Sequence, residues 1–196
     1  QGVARVRDGN CGAHAVVVIP DSPNVLEHHE SSFRELGHDF RVVGLEMPGA
    51  GYTDLRTDER RHGRFDFSLE SGAAWIRDVL DGLHIDEAIV TASCVNGLYA
   101  ATAAKMYPER VRALVLCQTP SLPQLKRWAK RTVPWPLRNR VLGDRLLRLS
   151  RRRFAAFWYV RAVGASAAPD TRVRFDDIAR QGFRAGASWR LAPLIL

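Results

Sequence analysis

The sequence predicts an α/β domain built on a mostly parallel sheet with helices on both of its faces. Three observations carry this. Short runs such as AHAVVVIP (13–20), EAIVTAS (87–93) and VRALVLCQT (111–119) are continuously apolar rather than alternating, the pattern of strands buried on both faces. Stretches with helical spacing separate these runs, so strand and helix alternate along the chain. Past Pro120 the pattern changes: from there on the chain carries 17 Arg and Lys against 4 Asp and Glu, whereas residues 1–119 carry 12 against 17.

The elements follow in order. AHAVVVIP is ended by the turn signal PDSPN and reads as a buried strand. NVLEHHESSFRELGH (24–38) places Val25, Leu26, Phe33 and Leu36 on a rough helical spacing and closes on Gly37. FRVVGLEMPGAGYTD (40–54) is a strand running into a Gly/Pro-rich loop. In SLESGAAWIRDVLDGLHI (68–85), Ser68 and Ser71 offer capping groups, and Ala74, Ile76, Val79, Leu80 and Leu83 form an apolar stripe. EAIVTAS is a strand, NGLYAATAAKMY (96–107) a helix and VRALVLCQT a strand. Each parallel crossover is expected to be right-handed. Beyond Pro120 helical patterns dominate, over 137–163 and 172–187, with Pro134 and Pro136 marking an internal boundary. The expected organisation is a core over 1–119 and a helical, Arg-rich lobe over 120–196.

Composition narrows the function. No stretch is long and apolar enough to cross a bilayer, and QGVARVRDGNCG lacks the apolar middle of a signal peptide, so a cytoplasmic location is expected. Cys11, Cys94 and Cys117 are odd in number and far apart, which gives no disulfide framework and no metal-ligand spacing. No metal and no cofactor are expected. The net charge of +8, gathered in the last part, suits an anionic partner of some kind. A solvated face of arginines on surface helices explains it equally well. The arginines carry no recognition motif, so nucleic acid is not an expected partner, and neither is a membrane.

TASCVNGLYA (91–100) joins a strand pattern to a helix pattern. With Ser93 at the centre of the bend, the residues two positions away are Thr91 and Val95, both β-branched and crowded. With Cys94 at the centre they are Ala92 and Asn96, one small and one tolerant of unusual backbone angles. Sterics therefore favour Cys94. Such a turn lifts its side chain above the carboxyl ends of the strands, where sites in open α/β sheets lie. The amino end of the following helix is expected to lower the thiol pKa.

Three stretches in order now resemble the α/β-hydrolase superfamily over about residues 13–119. ASCVNG (92–97) resembles its nucleophile elbow, EMPGAGYTD (46–54) its acidic-x-Pro-Gly-x-Gly-x-Ser-Asp loop, and YPERVRALVL (107–116) the lead into the strand after the elbow helix. The resemblance implies that Cys94 is the nucleophile, that the backbone N–H groups of Val95 and Ser22 form the oxyanion hole, and that residues 120–196 are a lid. Cysteine at this place resembles the dienelactone hydrolases and some thioester-handling members in the nucleophile alone. The departures are specific. Pro20-Asp21 replaces the family's His-Gly, which sets an acid beside the oxyanion hole. Ala92 and Asn96 replace the flanking glycines. No histidine follows His84, so the acid and histidine that come after the nucleophile have no matching positions. The core is expected to be incomplete at its carboxyl end.

His28 and His29, after the oxyanion loop, are the candidate bases; two exposed helical histidines are the plain alternative. His14, His38, His62 and His84 are expected to have no catalytic role. The expected function is acyl transfer on an ester or thioester through a Cys94 acyl-enzyme. Its substrate would be a small or carrier-bound acyl compound, with an anionic group to suit the basic lobe. The alternative is a non-catalytic protein of this fold that binds a ligand or partner. Oligomeric state is not legible.

Overall fold

The computed structural model of the chain describes residues 6–8, 14–21, 24–48, 51–53, 65–132, 134–139, 142, 146, 149, 169–173 and 177. Five strands form one sheet: β1 (Val6–Asp8), β2 (Ala15–Ile19), β3 (Arg41–Leu45), β4 (Ala88–Ser93) and β5 (Val111–Cys117), in the order β1-β3-β2-β4-β5. β2 through β5 are parallel, and β1 pairs antiparallel with β3 through Val6–Leu45, Arg7–Gly44 and Asp8–Val43. The helices are α1 (Glu30–Leu36), entered through a 3-10 turn over Leu26–His29, then α2 (Leu69–Gly82), α3 (Cys94–Met106), α4 (Leu122–Thr132) and α5 (Trp135–Arg138).

β2 and β3 bury both of their faces, and β4 buries one fully and the other in part. One face sets Val17, Ile19, Val43, Leu45 and Val90 against Ile76 and Leu80 of α2 and Tyr99, Ala100 and Ala103 of α3. The other sets Val16, Val18 and Val42 against Leu26 and Phe33. Each buried Ile or Leu side chain contributes about 1.5–3 kcal/mol. Ser68 caps α2, its hydroxyl accepting from the Ser71 N–H at 3.1 Å. α2 and α3 approach closely because a Cβ at Gly72 would lie 2.0 Å from the Tyr99 ring, and the Tyr99 hydroxyl donates to Phe67 O at 3.1 Å.

Three features differ from the sequence expectation. β1 has no apolar run of its own and exists by pairing with β3. α4 falls inside the expected helical lobe but ahead of the two helical stretches named for it. β5 is apolar yet exposed, with Val115 at 49% and Leu116 at 43%, because the sheet ends with it among the described residues. A register shift between Ala88 and Ile89 leaves Arg112 without a partner across the strand, and its guanidinium reaches Glu87 at 2.9 Å. The helical patterns over 137–163 and 172–187 lie mostly outside the described residues, as do Trp158 and Trp189. Among the described residues no helix is long and apolar enough to cross a membrane.

Candidate functional site

The parallel strands β2, β3 and β4 deliver three loops to their carboxyl ends. β4 ends at Ser93, and α3 begins at once with Cys94, whose φ is +50°. A non-glycine residue in the left-handed region is strained by about 1–3 kcal/mol and persists only where its surroundings enforce it. Here the enforcement is visible on both sides. Val95, Asn96 and Gly97 are buried under the bend. A Cβ at Gly97 would fall 1.9 Å from Thr119 Oγ1, so the segment after β5 lies directly on the first turn of α3.

Asn96 fixes the second loop. Its side chain is buried, and Nδ2 donates to Pro20 O at 2.5 Å. The residue that replaces an elbow glycine thus tethers the loop that replaces His-Gly. The Asn24 N–H closes this loop onto Asp21 O at 2.7 Å. Glu46 fixes the third loop. Fully buried, its carboxylate accepts from the Tyr52 N–H at 2.8 Å and the Leu26 N–H at 3.3 Å, while Thr53 Oγ1 donates to its carbonyl at 3.3 Å. Gly51 has φ +54°, and a Cβ there would lie 2.5 Å from that carboxylate.

The tether sets the Asp21 carboxyl beside the Cys94 thiol, near enough for each to act on the ionisation of the other. Burial pushes the Cys94 thiol from its ordinary 9.0 to about 11, the Asp21 charge adds to the rise, and the Val95 N–H at the sulfur opposes it. Burial likewise raises Asp21 from 3.8 to about 7, against the lowering effect of the Cys94 thiol. The expectation of a thiol acidified by the helix end is therefore corrected. One N–H and a helix terminus are outweighed by desolvation and a neighbouring negative charge. From about pH 7 to about 11 a carboxylate stands beside a neutral thiol.

The remaining predicted residues are placed as follows. The Val95 N–H lies at Sγ. Ser22, Asp54, His62 and Cys11 lie outside the described residues. His28 and His29 sit in the 3-10 turn that follows the Asp21 loop. His28 Nδ1 accepts from the Val25 N–H at 3.2 Å, and burial lowers the His29 pKa. Neither is among the groups that act on the Cys94 thiol. Asp21 is, and sequence reasoning had cast it as an opponent of the oxyanion instead of a partner of the thiol. His14 and His84 line a polar cleft with Arg41 and Arg112 at the amino ends of the strands, across the sheet from Cys94. Among the described residues no cluster of His, Cys, Asp and Glu could hold a metal ion.

Comparison with known proteins gives the family. The chain is 33% identical over 115 residues to epoxide hydrolase 1 of Caenorhabditis elegans, covering 59% of this chain and 27% of that protein. It is 30% identical over 125 residues to a Bacillus subtilis protein named for 2-succinyl-6-hydroxy-2,4-cyclohexadiene-1-carboxylate synthase activity, covering 63% of this chain and 42% of the other. It thus spans less than half the length of either curated relative. Among solved structures, an epoxide hydrolase of Bacillus megaterium superposes with a TM-score of 0.72 at 14% identity, over 97% of this chain and 68% of that one. The alpha/beta hydrolase fold family matches residues 11–153. The chain belongs to that family.

Proposed function

We propose that this chain carries the nucleophile of an acyl-transfer enzyme, in which Cys94 accepts an acyl group from an ester or thioester and Asp21 moves the proton. The observation that supports the reading is a carboxyl beside the thiol at a strained strand-to-helix bend. As Sγ bonds to the carbonyl carbon, its proton passes to the Asp21 carboxylate. The Val95 N–H, and in this proposal that of Ser22, hold the oxygen that gains charge. The bond to the leaving group then breaks, and Asp21 returns the proton to it. The carboxylate is again free to take a proton from water as water attacks the thioester. The same group serves both halves.

The relatives named for epoxide hydrolysis favour a second reading, attack of Cys94 on an epoxide carbon. Sulfur chemistry weighs against it. A thiol that opens an epoxide becomes a thioether, which water does not cleave, whereas an acyl thioester is hydrolysed. The fold with no chemistry, a ligand-binding protein, is the other alternative. One experiment separates them: intact mass of the chain after mixing with S-acetyl pantetheine and, separately, with styrene oxide. Acyl transfer predicts an acetyl adduct on Cys94 that decays in buffer and is absent in Cys94→Ala. No acetyl adduct, or one unchanged by that substitution, would sink the reading.

A further inference from the structure

Four cations stand on one side of α4 with no ion-pair partner among the described residues. Lys126, Arg127, Lys130 and Arg131 are all exposed, while Leu125 and Ala129 are buried against the protein. Lys126 with Lys130, and Arg127 with Arg131, are spaced four apart and are therefore neighbours on the helix surface. Like charges at that spacing oppose helix formation. The surrounding sequence offers no acid: from Arg110 to Gly143 the chain contains eight Arg and Lys and no Asp or Glu, and among the described residues none forms an ion pair with these four. Trp128 borders this arc and is 41% exposed, so a flat apolar ring lies beside the charges.

The position of α4 links the arc to Cys94. Thr119 lies on Gly97, in the first turn of the helix that Cys94 begins. α4 starts at Leu122, a few residues on. At 1.5 Å per residue, Lys126 to Arg131 lie about 6–14 Å along the axis from that start. A flexible arm between a thioester and a phosphate group covers such a distance. We propose that the arc Lys126, Arg127, Lys130 and Arg131 binds the phosphates of a nucleotide-linked thiol, so that the substrate is an acyl thioester of the coenzyme A kind, with Trp128 against the base. The inference rests on Cys94 as the acyl acceptor and names the class of donor. The acyl carbon–sulfur bond of the donor breaks as the bond to Cys94 forms, and the donor thiolate takes the proton held by Asp21. A thiolate is a better leaving group than an alkoxide, which suits a site where a carboxyl group moves the proton.

The test is binding, measured apart from chemistry. Titration calorimetry on the Cys94→Ala chain compares coenzyme A with pantetheine, its phosphate-free arm. Coenzyme A should bind at least about tenfold more tightly, and the margin should shrink as salt rises. Joint replacement of Lys126, Arg127, Lys130 and Arg131 by Gln should abolish the margin, leave pantetheine affinity and circular dichroism unchanged, and so exclude misfolding. The single changes Arg127→Gln and Arg131→Gln should each reduce it. Equal affinities for the two probes, or a margin untouched by the substitutions, would overturn the proposal. So would a single-stranded oligonucleotide or phosphatidylserine vesicles that bind more tightly than coenzyme A through the same cations. If coenzyme A binds as stated but the wild-type chain takes no acetyl group, the Cys94 reading fails alone. If Cys94 is acetylated from S-acetyl pantetheine but coenzyme A gains nothing, the phosphate inference fails alone.

Discussion

At Cys94 and Asp21 the two raised pKa values make a rate prediction. Base catalysis by Asp21 requires its ionised form, so acylation of Cys94 should rise with pH to a plateau, with a midpoint near 7. It should rise again only as the thiol itself ionises near 11. Asp21→Asn should lower the plateau about 10²–10⁴-fold, the range for a lost general base, and leave only the upper limb. A single rise between 8 and 9, indifferent to Asp21, would contradict this. Stability runs the other way. A carboxyl whose folded pKa exceeds its unfolded value holds its proton more tightly when folded, so stability is full below about pH 4 and falls as pH rises towards 7. Asp21→Asn should therefore stabilise the chain at pH 8, by about 1–3 kcal/mol given the half-buried side chain. Denaturant unfolding at pH 4 and pH 8 would show the gain only at the higher pH. Cys94 was legible because the bend excludes β-branched neighbours, a local matter. Its link to Asp21 was not, because it depends on the Asn96 tether to Pro20, which no local pattern encodes.

The elements were legible in proportion to how far their own residues specify them. β2, β3 and β4 are continuous apolar runs, and α2 carries both its cap and its stripe, so these appear within a few residues of their expected bounds. β1 depends on a partner strand, and the basic, proline-bearing stretch of α4 shows no apolar period strong enough to announce a helix. The junction of α3 with the end of β5 is a matter of contact alone. Gly97 lies inside α3, where alanine would normally favour the helix by about 1 kcal/mol. Its Cβ would collide with Thr119 Oγ1 at 1.9 Å, so Gly97→Ala should instead destabilise by about 1–3 kcal/mol. Thr119→Ala removes Oγ1 and Cγ2 and leaves only its own Cβ, at 2.8 Å, so it relieves most of the collision. The pair Gly97→Ala with Thr119→Ala should be more stable than Gly97→Ala alone, a coupling of about 0.5–3 kcal/mol in a double-mutant cycle. Strict additivity would mean that Thr119 does not hold the elbow helix, and would loosen the connection from Cys94 to α4.

At the scale of the molecule, charge and sheet edge act against each other. The sheet ends, among the described residues, at β5, which offers a row of backbone groups for pairing and sets Val115 and Leu116 in solvent on its two faces. Register places Val115 beside Thr91 and Leu116 beside Ala92, so Leu116 continues the face covered by α2 and α3 and Val115 the opposite one. Such an edge is a template for a second strand. The net charge of +8 resists association, yet only Arg112 of it lies on β5 itself. A chain of these 196 residues should therefore stay dispersed at low salt and associate as salt screens the repulsion over about 10 Å or less. Sedimentation velocity across a salt and concentration series reads this directly. Val115→Lys places a charge on the bare face and should shift association to higher protein concentration, whereas a neutral change far from β5, such as Ser31→Ala on α1, should not. The exposed Cys117 at the end of the strand should then cross-link the associated form in air, with the product lost in Cys117→Ser. If the chain remains a single species at every salt, or if Val115→Lys changes nothing, β5 is not the adhesive edge.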